Sequence, residues 1–157
     1  MGDITAGSET AADSTAFRFV DITAPDDPVW EQAFPVLRQL RTELTREMLA
    51  EILLDGVAQP PTFTALFNGE RCVAVAGWRL LANTHLRRVL YIDDLVADAA
   101  CRSRGYGRAM LEHLDGIGTQ LGIGAVDLDS GVQRFVAHRF YMANGFSISS
   151  HHFRRGR

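Results

Sequence analysis

The chain has 157 residues, 46% of them hydrophobic and 22% charged, with a formal net charge of -3. These are ordinary values for one globular domain with a single core. The slight acidity argues against a nucleic-acid or anionic-membrane partner, and no apolar run approaches the ~20 residues that span a bilayer. Cys72 and Cys101 are too few for a disulfide framework or a metal cage. They are expected as free thiols in a reducing cytoplasm, with no metal centre.

Residues 1–16 are small and polar, with no basic start followed by an apolar stretch. They are expected to form a disordered tail rather than a secretory signal, ahead of one domain over 17–157. All sixteen basic residues are arginine. From Asp26 to Asp55, seven acids stand against three arginines, whereas the C-terminal "HHFRRGR" is basic.

In chain order, "FRFVDIT" (Phe17 to Thr23) alternates as a strand does. Asp27 before Pro28 marks a helix start, and Trp30, Phe34, Leu37, Leu40 and Leu44 follow at spacings of three and four, with Pro35 as a possible kink. Thr45 is placed to cap a second helix that Gly56 would close. "TFTALFNGERCVAVAGWRLL" reads as a hairpin turning at Asn68-Gly69. "RRVLYIDDLVAD" is the next strand; regular alternation puts Asp94 in one row with Leu90, Ile92 and Val96, and Asp93 on the other face. A helix carrying Met110, Leu114, Ile117 and Leu121 comes next, then the strand "GAVDLDS", the helix "QRFVAHRFYMANG" and a final strand "FSISSHHF". This order predicts an α/β (α+β) fold: a mixed sheet flanked by about four helices.

The stretch "RSRGYGRAML" (Arg102 to Leu111) places two glycines where a helix should begin, although glycine there costs up to ~1 kcal/mol relative to alanine. A helix N-terminus offers unpaired N–H groups and partial positive charge, and glycine lets an anion reach the backbone. A pyrophosphate held there would offset the cost, with Arg102, Arg104 and Arg108 nearby. No Gly-Lys-Ser/Thr follows, so this is not a Walker loop, nor is it the full Gly-x-Gly-x-x-Gly fingerprint.

"DLVADAACRSRGYGRAML" closely resembles the core motif of the GNAT superfamily of N-acetyltransferases, Arg/Gln-x-x-Gly-x-Gly/Ala opening a helix, with Arg102, Gly105 and Gly107 in the matching positions. Downstream, "HRFYMANGF" is similar to the family's second signature, a tyrosine followed at four and five residues by Gly-Phe. The resemblance covers Phe17 to the C-terminus. It implies a GNAT-like, largely antiparallel mixed sheet and the use of acetyl-coenzyme A as cosubstrate. Leu95, Val96 and Ala97 would face the pantetheine arm, and the backbone of Ser103, Arg104, Gly105, Tyr106, Gly107 and Arg108 the pyrophosphate. Arg102 would contact phosphate or close the turn. Arg134 stands where many relatives carry a cofactor-touching asparagine; it could instead pair with a phosphate, or Ser130 could replace the missing amide.

Tyr141 matches the usual general acid. Helical geometry groups Arg134, His138 and Tyr141 on one face, with Val136, Phe140 and Ala143 opposite as the expected core face. Asp94 is favoured over Asp129 as the base that takes the amine's proton, although either carboxylate could simply cap strand-end N–H groups. The acidic helices point to a cationic small-molecule or peptide amine as acceptor. A module that binds coenzyme A without catalysis is the alternative from another class. Dimers are common in the family, and the final strands are the expected contact.

Overall fold

The computed structural model describes residues 17–55 and 60–156. The tail expected at residues 1–16 and the helix stop expected at Gly56 lie outside them. Five strands, β1 (Arg18–Ile22), β2 (Thr62–Asn68), β3 (Arg71–Asn83), β4 (Arg87–Ala97) and β5 (Val126–Leu128), form one sheet in sequential order. The first four pair antiparallel, and β4 pairs parallel with β5. The mixed, largely antiparallel sheet expected from the sequence is present.

Among the described residues, four α-helices cover its faces: α1 (Trp30–Arg38), α2 (Arg46–Leu54), α3 (Tyr106–Gln120) and α4 (Phe135–Ala143). Thr45 caps α2 as expected, its hydroxyl accepting from the Met48 amide at 3.2 Å. At the other early helix, Asp27 accepts from the Val29 amide and regular helix begins only at Trp30. Pro35 sits inside α1 without ending it, at the cost of the bond a regular amide there would have made to the Glu31 carbonyl. The hairpin turns at Gly69-Glu70, one residue later than expected, with Asn68 still paired to Arg71 and Gly69 carrying the positive φ of 61°.

Two apolar layers result. On one face, α1 and α2 pack Trp30, Leu37 and Leu49 against Ile22, Phe63, Phe67 and Val75. On the other, α3 packs Met110, Leu111 and Leu114 against Leu66, Trp78, Leu90 and Ile92.

The structure corrects the sequence reading in three places. "FSISSHHF" forms no strand; Ile148 and Phe153 stay exposed beside a β5 only three residues long, which offers little ladder to extend. On α4, Val136 and Ala143 are exposed, so of the expected core face Phe140 alone packs inward; it joins the α3-side core together with Tyr141, expected on the polar face. The third correction concerns β4. Its register against β3 shifts by one, Gly77 facing Asp94 while Trp78 faces Ile92, so Asp93 is the extra residue of a bulge. An inserted residue inverts the alternation beyond it. Leu90 and Ile92 therefore face α3, while Val96 joins the α1/α2 layer, and Asp94 opens on that same side.

Candidate active site

The bulge has a second consequence. Pairing between β4 and β5 runs only from Leu90↔Val126 to Ile92↔Leu128. Leu95, Val96 and Ala97 continue to pair with β3, but among the described residues no strand covers their other edge. In an antiparallel ladder alternate residues point their N–H and C=O groups away from the partner, so this edge presents unpaired backbone groups in a split between two strands.

Asp98 ends β4 and fixes the connection to α3. Its Oδ1 accepts from the Ala100 amide and from Gln39 Nε2, each at 3.0 Å, and its Oδ2 accepts from Arg71 Nη2 at 2.6 Å. Gln39 also accepts the Ala99 amide at 2.7 Å. These bonds stabilise the carboxylate and pull its pKa down to about 2. They tie a single 3-10 turn, Ala99–Cys101, to α1 and β3.

Beyond the turn, Ser103 and Gly105 adopt φ of 64° and 80°, the left-handed region in which glycine is least strained. The first helical bond runs from the Ala109 amide to the Gly105 carbonyl. Among the described residues, none of the amides from Arg102 through Arg108 donates to a protein acceptor. A β-carbon at Gly105 would meet nothing within 4 Å, so the space before this helix is open. The two glycines serve different ends. A β-carbon at Gly107 would lie 3.1 Å from Phe140 Cζ, so that glycine admits α4 rather than a ligand. Tyr106 is buried, its hydroxyl accepting from Asn68 Nδ2 at 2.8 Å; only its backbone faces the loop. Arg102 and Arg104 are exposed, while Arg108 pairs with Glu112 at 2.8 Å along the helix.

Tyr141 is half-buried between Phe140 and Phe146, with ring centroids 5.4 and 5.7 Å away. Burial raises its phenol pKa, opposed weakly by Arg134, and its hydroxyl has no hydrogen-bond partner among the described residues. Arg134 is the exposed N-cap of α4. His138 bonds the Gly131 carbonyl at 2.9 Å and so belongs to the surface turn. Ser130 Oγ is buried without a partner among the described residues.

On the opposite face of the sheet, a cavity of about 710 Å³ opens between the α1–α2 connection and β4. Leu40, Met48, Leu49, Ile52 and Phe63 give it apolar walls; Glu43, Asp55, Asp93 and Asp94 supply carboxylates, and Arg41 and Arg79 cations. Asp94 is largely buried, and desolvation raises its pKa although Arg41 opposes the shift. Asp93 is held by both nitrogens of the Arg79 fork, at 2.6 and 2.7 Å. Asp129, the other candidate base, is exposed at the end of β5, accepting from Tyr91 at 2.7 Å and lying 2.8 Å from His152.

Sequence reasoning missed Arg41, Gln39 and Gly77. Arg41 and Gln39 act across more than fifty positions of sequence, which no local pattern reveals. Gly77 did carry a signal, since a lone glycine inside a strand suggests a bulge or close approach. A β-carbon there would come 2.7 Å from Phe63 Cε1 and 3.1 Å from Asp94 Oδ2.

The model of the acetyltransferase (GNAT) family matches residues 24–146. A Bacillus subtilis protein named as the uncharacterized N-acetyltransferase YhdJ is 36% identical over 129 residues, spanning 80% of this chain and 90% of its own. Among solved structures, the aminoglycoside N-acetyltransferase AAC(6')-Iy in complex with CoA superposes with a TM-score of 0.75 at 14% identity, over 90% of this chain and 95% of that one. A Bacillus halodurans protein described as a transcriptional regulator gives 0.74 at 16% identity, over 90% and 100%. At such identities the structural likeness speaks for the fold alone, while the family match and the Bacillus subtilis relative speak for descent: the chain belongs to the acetyltransferase (GNAT) family and is an N-acetyltransferase.

Proposed function

We propose that the protein transfers an acetyl group from acetyl-coenzyme A to the amine of a small cationic molecule by direct attack on the thioester. The observation that carries this reading is the run of undirected amides from Arg102 through Arg108, beside the uncovered edge of Leu95, Val96 and Ala97. Amides converging on open space at a helix N-terminus fit a diphosphate. A strand edge fits the amide-bearing pantetheine arm, as an added strand would. Arg102 and Arg104 supply charge, with Arg134 available from α4. The buried orphan hydroxyl of Ser130 is a further donor at the end of β5.

Asp94 and Tyr141 lie on opposite faces of the sheet, and the split between β4 and β5 connects those faces. A thioester in the split would be approached by the amine from the Asp94 side. The amine nitrogen attacks the carbonyl carbon and gives up a proton to Asp94, directly or through water, and the C–S bond then breaks. Tyr141 protonates the departing thiolate. Free thiol and phenol differ by about 1.5 pKa units, so the transfer is uphill by only ~2 kcal/mol. Burial raises the phenol, but it also destabilises a thiolate in the same place, so the mismatch stays small. Asp129 is the weaker base, since Tyr91 and His152 already engage its carboxylate.

The cavity combines apolar walls with an excess of carboxylates, which suits an organic cation. The structural neighbour named as an aminoglycoside N-acetyltransferase supports such an acceptor class. A panel of amines, aminoglycosides and polyamines included, assayed with acetyl-coenzyme A for thiol release, tests the reading. Release with at least one amine supports it. Tight coenzyme A binding with no release for any amine favours a binding module instead.

A further inference from the structure

Arg41 follows α1 and reaches across the cavity mouth. Its Nε donates to Asp94 Oδ1 at 2.5 Å, and its Nη2 to the carbonyl of Asp93 at 3.0 Å. Both acceptors exist because of the bulge, which turns the Asp94 carboxylate into the cavity and frees the Asp93 carbonyl from the regular ladder. The arginine side chain is about half exposed, at 52%, whereas Asp94's is 12% exposed. The carboxylate is therefore built in, lying close over Gly77 where a β-carbon would come 3.1 Å from its Oδ2, while its partner is a long solvated chain reaching in from a connection. Arg79, the other cavity cation, is committed to Asp93 by a two-pronged bond. Arg41 holds the Asp94 carboxylate through one nitrogen only and can leave while Asp93 stays paired with Arg79.

The geometry points to Arg41 as an internal stand-in for the acceptor's cation, exchanged for an incoming ammonium group at Asp94 and the Asp93 carbonyl. This deepens the proposed function, because it rests on the cavity being the acceptor site. A mostly buried carboxylate left unpaired is costly, so the free protein keeps a cation of its own there. Exchange then occurs without exposing the charge to an empty apolar cavity. The arrangement also selects. An acceptor must offer a hydrogen-bonding cation on an apolar body of moderate size, and a neutral alcohol or an anion does not displace the arginine. With the guanidinium withdrawn, Asp94 loses a fixed positive neighbour and becomes a better proton acceptor as the amine arrives.

The test needs neither coenzyme A nor the natural acceptor. Binding of n-butylammonium, with n-butanol as neutral control, is followed by NMR at the Gly77 and Asp94 amides in the wild type, Arg41→Met and Arg41→Met/Asp94→Asn. If Arg41 occupies Asp94 for about nine-tenths of the time, its removal tightens n-butylammonium binding about tenfold. The double variant loses that gain, and n-butanol shows none. Equal affinity in wild type and Arg41→Met, or a gain shared by n-butanol, overturns the proposal. Should Arg41→Met not fold, Arg41→Gln keeps the length and hydrogen-bonding capacity without the charge and is read the same way. Failure of coenzyme A to bind would sink the proposed function while leaving this exchange intact, so the two outcomes are separable.

Discussion

Tyr141 and Asp94 owe their proposed roles to surroundings that push both pKa values upward. The two shifts act at opposite ends of the pH profile. A raised Asp94 moves the acidic limb of kcat/KM above the ordinary carboxylate range, and a raised phenol keeps Tyr141 protonated beyond the ordinary tyrosine limit. Asp94→Asn is expected to remove the acidic limb and lower kcat about 100-fold, within the usual span for proton-transfer residues. Tyr141→Phe is expected to lower kcat by a similar factor of about 100 while leaving coenzyme A affinity nearly unchanged. Steady-state kinetics across pH, with calorimetry for the cofactor, separates these effects. An unchanged kcat in Tyr141→Phe removes it as the acid.

At the scale of elements, two glycines act as spacers and a carboxylate as a fastener. Gly77→Ala would drive a methyl to 2.7 Å from the Phe63 ring, and overpacking of this kind typically costs about 1–3 kcal/mol. A lower urea midpoint together with a displaced Asp94 is the expected result. Gly107→Ala meets Phe140 at 3.1 Å and is expected to shift α4, and Tyr141 with it, so activity falls more than stability does. Asp98 links β4, α1 and β3 through a pKa held near about 2. Because that value lies below the unfolded ~3.9, its contribution is full above about pH 4 and disappears as pH falls toward 2. A comparison of urea midpoints for wild type and Asp98→Asn should show a gap at pH 6 that closes in that window.

The elements were legible in the sequence wherever periodicity, a cap or a turn announced them: Thr45 before α2, the apolar stripe of α3, the alternation of β1, the Asn68-Gly69 signal between β2 and β3. The glycine loop was legible as a loop because glycine at a helix start contradicts propensity, although Gly107 proves to admit Phe140 rather than open space. Three features were not. The β4 bulge defeats alternation because one inserted residue reverses every side chain beyond it, and "LYIDDLV" looks regular as a string. The end of the sheet was overread because "FSISSHHF" alternates without a neighbour long enough to pair with. Arg41 was invisible because its partner is Asp94, far along the chain.

For the molecule as a whole, the proposed function has one split in the sheet join two half-sites, a diphosphate cradle on the α3 side and a cation-seeking cavity on the α1/α2 side. The central claim is that the amides from Arg102 through Arg108 hold the diphosphate of coenzyme A. Isothermal titration of the folded protein with coenzyme A, repeated on Gly105→Val, tests it most directly. The expected result is saturable one-to-one binding that weakens at least about tenfold in the variant, a loss of about 1.4 kcal/mol, since valine is strained at a φ of 80° and its branched side chain enters the open approach. No heat with folded wild-type protein, or equal affinity in Gly105→Val, would contradict it.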